Sequence, residues 1–422
     1  MTRRSIVLAL LLSLLATPLV EANGLPVATP EQVGLSSARL ARIGAVLRAD
    51  VERGRIPGAV VLVARKGRIA YLEAVGFRDK AAGAPMTPDA IFRLASMTKP
   101  MVTVAAMTLY EEGRLFPSDP VSKYLPAFSK LQVGVERVEP GTGKSVVYTV
   151  PPEREMTIQD LMRHTSGLTY GNRGTTAIHK MYPESSNVSS QTLTMDEFVE
   201  RLAKTPLLYQ PGTTWEYGLS TDVLGRVVEV VAGKPLAQFL EERIFQPLKM
   251  TDTGFLVSAA KRPRIAQPLP THPDTGKEYT VPDPSVPRKF DCGGGCAVST
   301  APDYARFAQM LLNRGVLEGA RVLGPKTVDY MTSDHLGSSI SRGNAYSAGP
   351  GYTWGLGFAV RQEKGIAPIA GSAGDFFWPG AFATYWWADP KEEMIVVSMM
   401  QSPLGRHYSQ LLRGLVLQAI AE

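Results

Sequence analysis

The amino-acid sequence predicts an α+β fold: one antiparallel sheet assembled from both ends of the chain and flanked by helices, with a mostly helical stretch inserted between. Three observations carry that prediction. Two Val/Ile-rich runs near the start, Gly58 to Arg65 and Arg68 to Gly76, meet at Lys66-Gly67, a hairpin signal. Strand-like runs return at the far end, at Tyr352 to Gln362, Gly380 to Ala388 and Glu393 to Met400. Between them the apolar residues recur mostly at helical spacing.

In chain order, residues 1–22 have the build of a secretory signal: Arg3 and Arg4, an apolar run from Ile6 to Leu15, then Val20-Glu21-Ala22 as a small-residue exit. That run is short for a membrane span, so a periplasmic or secreted chain without a span is expected once the signal is removed. Ser36 or Ser37 caps a helix reaching about Arg53, amphipathic through Leu40, Ile43, Leu47 and Val51. After the hairpin, helices are expected over 97–112, Thr157 to Arg163, Met195 to Ala203, Ser220 to Ala232, Leu236 to Ile244 and Pro302 to Asn313. Proline- and glycine-heavy connections at 136–156, 170–194 and 262–296 separate them, and loops this long often form site walls or lids. A helix over Gln410 to Glu422 closes the chain. The domain, 23–422, thus divides into a sheet part (23–85 and 345–422) and a helical part (86–344).

The chain has 422 residues, 44% hydrophobic and 20% charged, which suits a globular enzyme with a substantial core. Its net charge of +6 comes without any run of five basic residues, so a nucleic-acid partner is not expected. Cys292 and Cys296 bracket three glycines, a spacing that permits a small disulfide loop in an oxidising compartment. Zinc is the rival reading, but the five histidines are scattered and no acidic cluster lies beside the pair. Neither a metal nor a cofactor is expected.

The stretch that organises the chain is Ser96-Met97-Thr98-Lys99. Met101, Val104, Ala105, Thr108 and Leu109 form a helical stripe behind it, and Gly113 stands where a helix C-terminus needs a glycine. Residues three apart share a helix face, so the Lys99 amine can reach the Ser96 hydroxyl. A serine needs a group to take its proton, and a lysine whose pKa is lowered in a dry pocket can do so. N–H groups of the first turn favour the oxyanion that forms after attack. The same spacing recurs at Ser258 to Lys261, before a charged, proline-broken stretch, and reads there as chance. The plain alternative for Ser96 is a capping serine with an exposed lysine one turn on.

Two further stretches add chemistry. Within Pro211 to Ser220, Tyr217 stands just ahead of a helix, from where a phenol can project into a cleft or simply pack. Within Gly371 to Ala381, Gly380 permits close backbone approach and the Ala381 N–H can face a substrate oxygen; the alternative is a glycine-rich turn before an edge strand that tolerates Pro379.

Together these stretches resemble the serine β-lactamase and penicillin-recognising superfamily, in particular class C-like serine hydrolases and family VIII carboxylesterases. The likeness extends through Arg163-His164-Thr165-Ser166-Gly167-Leu168, Leu224 to Glu229, Ile244 to Phe255 and Gly293 to Ala305. It implies Ser96 as acylated nucleophile, Lys99 as base or as the cation that keeps Tyr217 partly ionised, and Tyr217 as proton relay. It also implies an oxyanion hole from the N–H groups of Ser96 and Ala381, and a loop-ordering part for His164. Where class C β-lactamases carry Tyr-x-Asn, this chain has Tyr217-Gly218-Leu219; where they carry Lys-Thr-Gly, it has Trp378-Pro379-Gly380. The cation and hydroxyl that hold a β-lactam carboxylate are thereby lost. Trp378, Gly380 and Leu219 are expected to contact substrate. An exported serine hydrolase of short-acyl carboxylic esters is the expectation, acting on a small-molecule ester or peptide. The alternatives are a peptidase or amidase for D-amino-acid or unusual linear peptides, a weak β-lactamase, or a penicillin-binding-like module without turnover.

Overall fold

A computed structural model describes residues 24–421 apart from 144, 344 and 364, so the expected signal lies outside the described residues. Helix α1 (Ser37–Glu52) starts where the Ser36 hydroxyl accepts the Arg39 N–H. Strands β1 (Gly58–Arg65) and β2 (Arg68–Asp79) form the expected hairpin, with Lys66 and Gly67 both at positive φ in the turn. Short β3 (Ala84–Pro85) and β4 (Phe92–Arg93) lead to α2 (Thr98–Glu111), which Gly113 ends at φ 69°. The expected single stripe is too modest for α2: every residue from Thr98 to Leu109 is buried, because the helix is enclosed on all sides.

The helical part is less purely helical than its sequence suggests. The connection expected at 136–156 contains a hairpin of β5 (Val133–Val138) and β6 (Ser145–Val150), and that expected at 170–194 contains α4 (Ser186–Thr192), which follows α3 (Ile158–Met162). Helices α5 (Met195–Lys204), α6 (Ser220–Ala232) and α7 (Leu236–Leu240) fall where expected, the last running on as a π turn. Strand β7 (Val298–Ser299) pairs with β4 ahead of α8 (Ala301–Leu312). The small hairpin of β8 (Val316–Leu317) and β9 (Ala320–Arg321) and the proline-started α9 (Pro325–Met331) complete this part.

The expected strand at 352–362 is two, β10 (Tyr352–Trp354) and β11 (Ala359–Arg361), broken by a turn in which Gly357 takes φ 92°. Next, β12 (Phe376–Pro379) precedes the start expected at Gly380; residues 380–384 form a turn, and β13 (Tyr385–Asp389) and β14 (Met394–Met399) follow. The closing helix, α10 (Gly405–Leu417), begins before Gln410.

The eight-stranded antiparallel sheet runs β10-β11-β12-β13-β14-β1-β2-β3, so the N-terminal β1 pairs with the C-terminal β14 from Val60↔Met399 to Arg65↔Met394. Both faces are covered. Alternation along β1 sends Val60, Leu62 and Ala64 into the large core that includes α2, α6 and α8, and Ala59, Val61 and Val63 into the smaller core with α1 and α10. In this order β12 is interior, not an edge; Pro379 is tolerated because β11 pairs only as far as Phe376 and Phe377, leaving it without a neighbour on that side.

The strand that carries Trp378 is tethered at its start by a buried ionic knot. Asp375 accepts from Arg361 Nε at 2.7 Å and from Arg413 Nη1 at 3.0 Å, all three side chains being at most 1% exposed. This joins β11, the entry to β12 and α10. Removing one member of such a cluster strands buried charge, so Asp375→Asn is expected to cost about 3–5 kcal/mol in urea unfolding. Lys326→Ala, which breaks an ion pair whose lysine is 93% exposed, is expected to stay within about 1 kcal/mol by the same measurement.

Candidate active site

Ser96 sits not on the long helix but in a single 3₁₀ turn, Ala95–Met97, immediately before α2. Ala95 takes φ 47°, a conformation an alanine adopts only under constraint from its surroundings. Those constraints are visible on both sides: the Leu94 N–H donates to the Ala297 carbonyl at 2.9 Å, and the Thr98 hydroxyl donates to the Ala95 carbonyl at 2.7 Å. Gly380 closes the turn from the sheet side, since a Cβ there would lie 2.2 Å from the Leu94 carbonyl oxygen. Among the described residues, the N–H groups of Ser96 and Ala381 have no hydrogen-bond acceptor.

Lys99 is wholly buried one turn behind Ser96. An ammonium has three donors. Here they meet the Ser96 hydroxyl at 3.4 Å, the Tyr170 hydroxyl at 3.2 Å and the Gly294 carbonyl at 2.6 Å. The Tyr217 ring lies across the same ammonium, its centroid 4.6 Å from Nζ. The Tyr217 hydroxyl accepts from the Trp378 indole N–H at 3.0 Å, and Trp378 packs edge-on against Trp354 with centroids 4.5 Å apart. A serine, a lysine and two phenols from three separated parts of the chain therefore share one centre.

Comparison with known proteins places this fold in one family. The family model described as Beta-lactamase matches residues 43–420. Esterase EstB of Burkholderia gladioli is 33% identical over 382 residues, covering 85% of this chain and 90% of its own. A Mycobacterium tuberculosis protein is 35% identical over 364 residues, covering 85% and 88%. The solved structure of EstCE1, described as a hydrolase with promiscuous acyltransferase activity, has a TM-score of 0.74 at 30% identity, covering 90% of this chain and 98% of its own. The chain belongs to the β-lactamase family. It is a serine hydrolase of that family.

Within this β-lactamase-family enzyme, the structure brings together Ser96, Lys99, Tyr217, Trp378 and Gly380 as the sequence suggested. Leu219 differs: it is fully buried in the main core at the start of α6 and packs rather than lining an open wall. The disulfide joins Cys292 and Cys296 as expected. Its three glycines have another reason, however, since none of them takes a positive φ. A Cβ on Gly293 would lie 2.7 Å from the Thr221 carbonyl, and one on Gly294 would lie 2.3 Å from Asp222 Oδ2, so two of them permit close approach to α6.

Three residues were missed. Tyr170 stands just past the His164-Thr165-Ser166-Gly167-Leu168 motif, and the only available signal was that adjacency. Arg173, centred 5.7 Å from the Tyr217 ring, and Asp222 in the first turn of α6 carried no pattern at all.

The electrostatics bear on which of its two expected roles, base or cation, Lys99 takes. Burial pulls its pKa down, as anticipated, but the Tyr170 oxygen that accepts from it, the Tyr217 phenol beside it and the Asp222 carboxylate outweigh burial and hold the ammonium above the ordinary lysine range. Lys99 is therefore a cation that donates to Ser96. Burial pushes the Tyr170 phenol up, which keeps it protonated. His164, 1% exposed with its ring 4.7 Å from that of Tyr217, is held well below the usual histidine range by burial and then by Lys99 and Arg173. It is neutral packing, and its carbonyl accepts the Glu216 N–H at 2.8 Å, which orders the Tyr217 loop.

A histidine whose folded pKa is depressed binds its proton more readily when unfolded. Stability is thus complete above the unfolded value near 6.5 and falls as pH drops below it, by up to about 1.4 kcal/mol per pH unit per group. His179 and His335 are shifted the same way, chiefly by burial. The urea midpoint is expected to fall between about pH 6.5 and pH 5, and His164→Phe is expected to flatten that slope by its own share.

Proposed function

We propose that this chain is an exported carboxylesterase that works through an acyl-Ser96 intermediate on esters with short acyl groups. The observation that carries the reading is the Lys99 ammonium, fully buried and donating to Ser96 while lying across the Tyr217 ring. Its positive charge favours the alkoxide of Ser96. Tyr217, half-buried and holding the Trp378 N–H on its oxygen, takes the Ser96 proton. Ser96 Oγ bonds to the ester carbonyl carbon, and the N–H groups of Ser96 and Ala381 hold the resulting oxyanion. Collapse breaks the C–O bond, and the alcohol leaves with the proton from Tyr217. Water then attacks the acyl-serine with Tyr217 again accepting a proton, and Ser96 regains it as the acid departs.

The substrate class follows from charge. Trp378 occupies the position where the family's β-lactamases carry a lysine, and its N–H is already engaged with Tyr217. An uncharged ester group needs no cation there, and the indole, 3% exposed, supports the Tyr217 oxygen instead of meeting an anion. The name Esterase EstB supports the ester over the amide. Export is supported by the sequence of residues 1–22 alone.

Ser96→Ala is expected to lower p-nitrophenyl acetate turnover by roughly three orders of magnitude or more, and Tyr217→Phe nearly as far, because residues acting as a unit fail together. A fluorophosphonate probe is expected to add to Ser96 by intact mass. Faster turnover of D-alanyl amides or nitrocefin than of the ester would replace the substrate class, and absence of any adduct would replace the enzyme with a binding module.

A further inference from the structure

Two buried features take no part in the reaction above: the Cys292–Cys296 disulfide and Asp222. Both converge on Lys99. The shortest hydrogen bond of its ammonium, 2.6 Å, goes to the carbonyl of Gly294, the central residue of the five-residue loop that the disulfide closes. On the other side of the same residue, the Gly294 N–H donates to Asp222 Oδ1 at 2.7 Å. Asp222 is 0% exposed, and the buried Ser186 hydroxyl lies beside its carboxylate as a further neutral neighbour. A carboxylate so buried is costly unless an opposite charge lies near, and Lys99 is that charge.

The loop is fixed at every edge. Asn187 on α4 donates to the Gly295 carbonyl at 3.3 Å. Beyond Cys296, the Ala297 N–H donates to the Thr98 hydroxyl at 3.2 Å and its carbonyl accepts the Leu94 N–H, so the loop is bonded to the chain on both sides of Ser96. Gly294 is required by contact, because a Cβ would strike Asp222 Oδ2 at 2.3 Å. A disulfide that only shortened the unfolded chain would need none of this alignment.

We propose that the Cys292–Cys296 loop and Asp222 are positioning residues for catalysis: the loop presents the Gly294 carbonyl as a fixed acceptor, Asp222 anchors it and supplies the counter-charge, and together they aim the Lys99 ammonium at Ser96. The inference rests on the reading of Ser96 and Lys99 as the reacting pair. Besides Asp222, the groups facing Lys99 are Tyr170 and Tyr217, with His164 behind them, so Asp222 is the carboxylate that acts on its charge.

The test compares Asp222→Asn, which keeps shape and removes charge, Gly294→Ala, which keeps the disulfide and every titrating group in the chain but pushes Asp222 away from the loop, and the double variant Cys292→Ala/Cys296→Ala. Each is expected to lower kcat for p-nitrophenyl acetate by roughly 10-fold to 100-fold with KM within about twofold, since small misplacements of a reacting group cost that much. In Asp222→Asn the limb of the kcat–pH profile set by Lys99 is expected to move to lower pH, a readout that lost packing does not produce. Circular dichroism confirms that the variants are folded. Wild-type kcat and pH profile in folded Asp222→Asn and Gly294→Ala overturn the inference. Undiminished turnover by Ser96→Ala strikes instead at the reading of Ser96 as nucleophile.

Discussion

A charged amine buried beneath the surface is the constraint from which the rest of this structure follows. Removing an ammonium from water costs several kcal/mol, and the cost is offset only where each N–H finds an acceptor and a counter-charge stands near. Lys99 meets that condition with a hydroxyl, a phenol and a carbonyl, taken from the turn ahead of α2, from the segment after α3 and from the disulfide loop. No local stretch could supply all three. The helical part must therefore fold on itself around Lys99, and of the two hydroxyls this cation meets, that of Ser96 is the less buried.

The parts of the fold legible in the sequence were those where a period or a turn acts locally. Lys66-Gly67 fixed the hairpin, and Leu40, Ile43, Leu47 and Val51 marked α1 by one apolar face. Legibility failed where burial is two-sided or pairing is remote. Because α2 is enclosed, its polar Thr103 and Thr108 are inside and the stripe underestimates its burial. The β5–β6 hairpin went unseen because its strands are half exposed and joined through a proline- and glycine-rich turn that reads as loop. Pro379 suggested an edge strand, yet the strand is interior and simply outlasts its neighbour.

The site followed the same rule. Ser96, Lys99 and Tyr217 stand in stretches whose likeness to a family marks them. Tyr170, Arg173 and Asp222 act through three-dimensional adjacency alone. Gly380 was read correctly as a place of close approach, but what approaches is the backbone at Leu94, so the glycine shapes the serine turn itself. Gly293 and Gly294 looked like flexibility for a small ring and are instead the clearance that lets a loop lie against α6.

Two phenols beside one ammonium raise the question of which can move a proton. Tyr170 is the one hydrogen-bonded to Lys99, yet it is 9% exposed, and burial keeps its proton in place. Its hydroxyl accepts from the ammonium, so its oxygen serves as a fixed ligand for the cation. Tyr217 offers Lys99 its ring face instead, and its half-buried oxygen receives an indole N–H. A group that exchanges protons with substrate must touch solvent or substrate, and of the two phenols Tyr217 is the less buried. Trp378, where the resemblance leads one to expect a lysine, thus does more than lack a positive charge: it places a neutral donor on the Tyr217 oxygen.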